Sequence, residues 1–60
     1  MRQTYYLEND EMIIDERVEK IINDFPCWIE TETIEMNYVR VNVECREEDF
    51  KAIERRLKED

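Results

Sequence analysis

Apolar and polar residues alternate most strictly between Tyr38 and Cys45. Val39, Val41, Val43 and Cys45 take one side, and Tyr38, Arg40, Asn42 and Glu44 the other. A period of two predicts a strand over 38–45, with one face on a core and one turned to water or a partner. Residues 3–8 predict a shorter strand, with Tyr5 and Leu7 on one face and Tyr6 on the other. Residues 28–36 also read as extended, but their apolar side changes. Ile29, Thr31 and Thr33 share one side, while Trp28, Glu30, Glu32, Ile34 and Met36 share the other. That switch predicts a bulge, a turn near Thr31 to Thr33, or a strand buried differently at its two ends. Asn37 is the expected left-handed turn residue ahead of Tyr38, because the chain has no glycine for that conformation.

Two segments carry helical spacing instead. Over 10–25, Ile14, Val18, Ile21, Ile22 and Phe25 form one apolar stripe. Asn9 or Asp10 can cap its first turn, and Pro26 stops it. Over 47–59, Phe50, Ile53 and Leu57 form the stripe. Glu47, Glu48 and Asp49 open this helix, and Arg55, Arg56 and Lys58 close it, which complements the helix dipole at both ends. Glu47 with Lys51 and Glu54 with Lys58 stand at the favourable four-residue spacing. The order β-α-β-β-α predicts an α+β fold: a small three-stranded, mainly antiparallel sheet with two helices packed on its valine face, as one compact domain over 1–60. The first connection contains a helix, so the first strand lying parallel to a neighbour is the alternative pairing. Tyr5 and Trp28 are expected in the core, and Tyr6 and Tyr38 on the open sheet face.

Composition narrows the chemistry. The chain has 60 residues, too few for a thick core. It contains no His, no Gly and no Ser. Cys27 and Cys45 lack a histidine to activate them, Thr4, Thr31 and Thr33 lack a base, and no glycine loop can cradle a phosphate. Glu30 and Glu32 would sit about 7 Å apart on one strand face, as an acid–base pair could, but a chain this short does not readily build a substrate cleft. The expectation is therefore not an enzyme. Two cysteines without histidine make no zinc site, and the acidic runs lack the glycine of a calcium loop, so neither a metal nor a cofactor is expected. The thiols read as two buried, reduced cysteines, with a single bridge open to them if they lie on adjacent strands.

Charge supplies the one positive hint. Seventeen acids face nine bases, a formal net charge of −8. Such a chain repels DNA, RNA and anionic membranes, so its expected partner is a basic protein surface. Residues 1–35 hold ten acids and three bases, a balance of −7, whereas residues 36–60 hold seven and six, a balance of −1. On the first helix Glu11, Asp15 and Glu19 recur every four residues, with Glu16 beside them. These carboxylates form a ladder with steps of about 6 Å, expected on the face opposite the apolar stripe. In sign and spacing the ladder resembles a run of backbone phosphates. An acidic helix face kept for solubility alone has the same pattern.

In size, charge and compactness the whole chain resembles small acidic proteins encoded by phages and mobile elements that bind and block nucleic-acid-handling machinery, anti-CRISPR proteins and other DNA mimics among them. The residues that carry the resemblance are Glu11, Asp15, Glu16, Glu19, Glu30, Glu32 and Glu35; no sequence motif defines that class. The resemblance implies a protein that binds and inhibits a nucleic-acid-handling complex, for example a CRISPR surveillance complex, stoichiometrically and without catalysis. Those seven acids would be its partner-binding residues, with Tyr6, Trp28, Met36 and Tyr38 adding specificity. The alternative is an accessory or regulatory protein, antitoxin-like, acting through an apolar interface that includes Ile34, Met36 and Tyr38. A monomer or weak homodimer is expected. No segment has the length of a membrane span, and the N-terminus reaches acid by Glu8 without a signal-peptide core. The expected location is the cytoplasm, that of the host cell if a phage encodes the protein.

Overall fold

The computed structural model describes residues 1–58. Its elements are β1 (Arg2–Leu7), α1 (Glu11–Asp24), β2 (Cys27–Glu35), β3 (Tyr38–Cys45), a single 3-10 turn (Glu47–Asp49) and α2 (Phe50–Lys58). The three strands form one sheet in the order β1-β3-β2, and both pairings are antiparallel. The fold is thus α+β, as the patterning predicts. The parallel alternative for the first strand is corrected, because β1 pairs with β3 and runs antiparallel to it. β1 and β2 do run in the same direction, but β3 lies between them, and α1 carries the chain from one sheet edge to the other.

The reason for the central place of β3 lies in its side chains. Val39, Val41 and Val43 are fully buried, and Cys45 nearly so. A strand with that much apolar surface gains most where both neighbours and both helices shield it. Tyr5 stands opposite Val41 and Leu7 opposite Val39, so β1 adds its apolar side to the same face. Ile14, Val18 and Ile21 of α1, and Phe50, Ile53 and Leu57 of α2, complete the core cluster. Ile22 departs from the predicted stripe and is 46% exposed. It lies one residue, about 100°, around the helix from Ile21, and three residues per two turns already fill this thin core.

Local signals set the element ends. The Asp10 carboxylate accepts the Met12 N–H at 2.8 Å, and the Asn9 side chain accepts the Asp10 N–H at 2.9 Å. Of the two candidate caps, Asp10 is therefore the one that satisfies a free helix donor. Phe25, before Pro26, leaves the helix with extended backbone (φ −131°, ψ 144°), while its N–H still reaches the Ile21 carbonyl at 2.8 Å. The second helix opens as a 3-10 turn, not as α-helix from Glu47. Asp49 is buried there and pairs with Arg46 at 2.9 Å, so it does not belong to a solvated acidic run. Lys58 and Glu54 pair at 3.5 Å, whereas Glu47 and Lys51 form no ion pair, since the tighter turn breaks their α-helical phase. Position 59, the predicted end of this helix, lies outside the described residues.

The two helices are tied at one side. Arg17 Nη1 donates to the Leu57 carbonyl at 2.7 Å, and Arg56 pairs with Asp24 at 2.8 Å. In β2 the register shifts between Thr33 and Glu35, which is the irregularity that the change of apolar side predicts. Asn37 closes the β2–β3 hairpin with φ 60°, the left-handed conformation expected of it.

Candidate functional site

The fold distributes the seven predicted acids over two opposite layers. Glu11, Asp15, Glu16 and Glu19 lie exposed on α1, in the helix layer. Glu30, Glu32 and Glu35 lie exposed on β2, and cross-strand pairing with Asn42, Arg40 and Tyr38 puts them on the sheet face away from the helices. The two sets are not brought together.

On α1 the ladder runs along a flank and not directly opposite the apolar stripe, which corrects the predicted placement. Thr31 Oγ1 donates to Asp15 Oδ1 at 3.5 Å, so this flank looks toward β2. Arg17 and Asp24 occupy the other flank and engage α2. Four residues overshoot a full helical turn by about 40°, so the line from Glu11 to Glu19 winds from the core edge toward solvent. Among the described residues, Glu11, Asp15, Glu16 and Glu19 take part in no ion pair. Lys20 is the base on that side, and with Glu16, Glu19 and Asn23 it lines a shallow depression of about 420 Å³.

The open sheet face is built in rows across the three strands. Arg2, Glu44 and Trp28 make the first row, Thr4, Asn42 and Glu30 the second, and Tyr6, Arg40 and Glu32 the third. Much of this face satisfies itself. Arg2 pairs with Glu44 at 3.5 Å, Thr4 Oγ1 donates to Asn42 Oδ1 at 2.7 Å, and Arg40 pairs with Glu32. The Glu32 carboxylate, by that hydrogen bond and by its charge, holds the Arg40 guanidinium above its ordinary value, and Tyr6 adds to the effect. Of the strand acids, Glu32 is therefore matched by a cation, and Glu30 accepts the Trp28 Nε1–H at 2.9 Å.

Trp28 overturns its expected core position, being 64% exposed on this face. Cys27 points inward opposite Cys45, and alternation then turns the next residue outward. Tyr6 and Tyr38 are on the open face as predicted, with ring centroids 6.4 Å apart. Met36, in the hairpin turn, is 90% exposed. Trp28, Glu30, Asn42 and their neighbours border a depression of about 190 Å³. That is below the roughly 300 Å³ where small-molecule sites begin. Asn42 and Glu44 were legible as outward residues from alternation, whereas Arg2 lay outside the expected first strand, and the meeting of all three with Trp28 depends on strand order, which periodicity does not encode.

Among the described residues no helix is long and apolar enough to cross a membrane, and no group of three or more His, Cys, Asp or Glu side chains is placed to hold a metal ion. Compared with protein-family models, curated protein sequences and solved structures, the chain finds no match.

Proposed function

We propose that this protein is a stoichiometric, non-catalytic inhibitor that docks the acidic flank of α1 on a basic surface of a nucleic-acid-handling complex. Its carboxylates would take the place of DNA phosphates there, in the manner of anti-CRISPR proteins. The observation that carries this reading is the absence of ion pairs at Glu11, Asp15, Glu16 and Glu19 among the described residues. From Glu11 to Glu19 the helix advances about 12 Å, which gives one charge per roughly 3–4 Å. One DNA strand carries a phosphate about every 3.4 Å of axis. On the sheet face, by contrast, Arg2 and Arg40 offset Glu44 and Glu32. Glu30, Glu32 and Glu35 face the other way and would meet the same partner only where it wraps both layers, as a DNA channel does. Charge complementarity of this kind gives fast, salt-sensitive association. The compartment in this reading is the cytoplasm of a host cell.

A second reading is favoured by a different observation: Trp28, Tyr6 and Met36 are exposed on or beside a sheet face that no helix covers. Aromatic side chains so placed suit an apolar docking surface, as an accessory or antitoxin-like protein would use. One experiment separates the two. Tagged wild type, E11K/D15K/E19K and W28A are used to capture partners from bacterial lysate, with circular dichroism to check each fold. Mimicry predicts that charge reversal abolishes capture while W28A weakens it modestly. Capture that survives charge reversal and fails in W28A removes mimicry in favour of the apolar surface.

A further inference from the structure

We propose that Cys27 and Cys45 are a cross-strand dithiol that closes reversibly to a disulfide. The two residues, 18 positions apart in the chain, are direct partners across β2 and β3. Both are free thiols, Cys45 buried and Cys27 half-buried. The hydrogen-bond pattern identifies which kind of pair they are. The Cys45 N–H donates to the Met1 carbonyl at 3.0 Å, on the β1 side of β3. In an antiparallel strand a residue's N–H and C=O point to the same neighbour, so Cys45 offers neither to Cys27. The cysteines are therefore a non-hydrogen-bonded pair, in which Cα atoms stand about 4.5 Å apart with the side chains closest. Bridged cysteines have Cα separations of about 4.4–6.8 Å, so closure needs side-chain rotation and little backbone movement.

The partially exposed Cys27 is the entry point and the buried Cys45 the resolving thiol. The Cys27 thiolate attacks one sulfur of a small-molecule disulfide, such as glutathione disulfide, and expels one glutathione, which takes up a proton. Cys45 then loses its proton and attacks the Cys27 sulfur. The Cys27–Cys45 bond forms, the mixed disulfide breaks, and the second glutathione leaves as its thiol. Two protein thiols are oxidised by two electrons, and one disulfide is reduced to two thiols. Burial pushes both thiols above their ordinary 9.0. The charged neighbours are Asp49 on the 3-10 turn, which raises both, and Arg46 and the N-terminal amine, which lower Cys45. Closure is therefore slow near neutrality and accelerates with pH. The bridge fastens the start of β2, from which Trp28 projects, to the end of the central strand.

The test is incubation of the reduced protein with glutathione disulfide at neutral and alkaline pH, read by intact mass and thermal melting. The expected product is a monomer lighter by two hydrogen atoms, formed faster at alkaline pH, with a melting temperature roughly 10–20 °C higher that returns on reduction. Cys45→Ala should stop at a stable glutathione adduct on Cys27, and Cys27→Ser should give no bridge. Wild type that accumulates glutathione adducts without closing, or links only between molecules, overturns the proposal, whatever the stability of the variants.

Discussion

Charges held close on one helix flank oppose folding, so removing two of them should make the protein more stable. The perturbation is Asp15→Asn with Glu19→Gln, which keeps size and helix propensity nearly constant. Glu11 is left in place, because in the first turn of α1 it suits the positive end of the dipole. The double change removes three like-charge contacts at three- or four-residue spacing, Glu11–Asp15, Asp15–Glu19 and Glu16–Glu19. None of the three is relieved by an ion pair among the described residues. Each such contact costs a few tenths of a kcal/mol, so the total is about 1 kcal/mol at low ionic strength. The Asp15 interaction with Thr31, at 3.5 Å on an exposed surface, is too weak to offset that. For a domain of this length the gain is a rise in melting temperature of about 4–8 °C. Thermal denaturation followed by circular dichroism reads it directly. The rise should vanish in about 1 M salt, where the screening length falls to about 3 Å. No rise at low salt, or an equal rise in high salt, would show that these carboxylates do not repel each other unrelieved.

Other consequences follow from the core, the hairpin, Tyr5 and the two thiols. Ile53 is fully buried, so Ile53→Ala should cost about 2–5 kcal/mol, comparable with the whole stability of a domain this small; an unfolding free energy from urea titration lowered by less than about 1 kcal/mol would contradict the packing described. Asn37 holds φ 60°, so Asn37→Gly should leave stability nearly unchanged while Asn37→Ala costs about 1 kcal/mol, read as separate melting temperatures. The fold raises Tyr5 above 10.0, by burial first and then by the charges of Glu54 and Cys45, and raises both thiols above 9.0. Folded pKa values above unfolded ones mean that the unfolded chain releases protons first. Stability from these groups is fully present below about pH 8 and is lost as pH rises past 9 and 10. Melts of reduced protein across that range should show the fall, and Tyr5→Phe should remove its upper part.

The sheet and both helices were legible because their patterns are strong and agree. Val39, Val41, Val43 and Cys45 alternate strictly, and Asn37 is the one residue near the hairpin suited to a left-handed turn in a chain without glycine. The register shift in β2 showed as a change of apolar side, which by itself left a bulge, a turn or uneven burial open. Pairing was not legible for β1, since Tyr5 and Leu7 would present the same side to a parallel or an antiparallel neighbour. Trp28 was misplaced because hydrophobicity ranks it as core, whereas the inward position beside it is taken by Cys27. The acids were readable as a list but not as a surface. Their division between layers depends on which sheet face the helices cover, and that follows only from the assembled fold.

The measurement that bears most directly on the proposed function is binding of E11K/D15K/E19K and wild type to a captured nucleic-acid-handling complex, in low and high salt and with competing DNA. DNA mimicry predicts wild-type binding that weakens steeply with salt, is displaced by DNA, and is absent in the folded variant. Wild-type binding that resists salt and DNA, with the variant binding equally well, would contradict it.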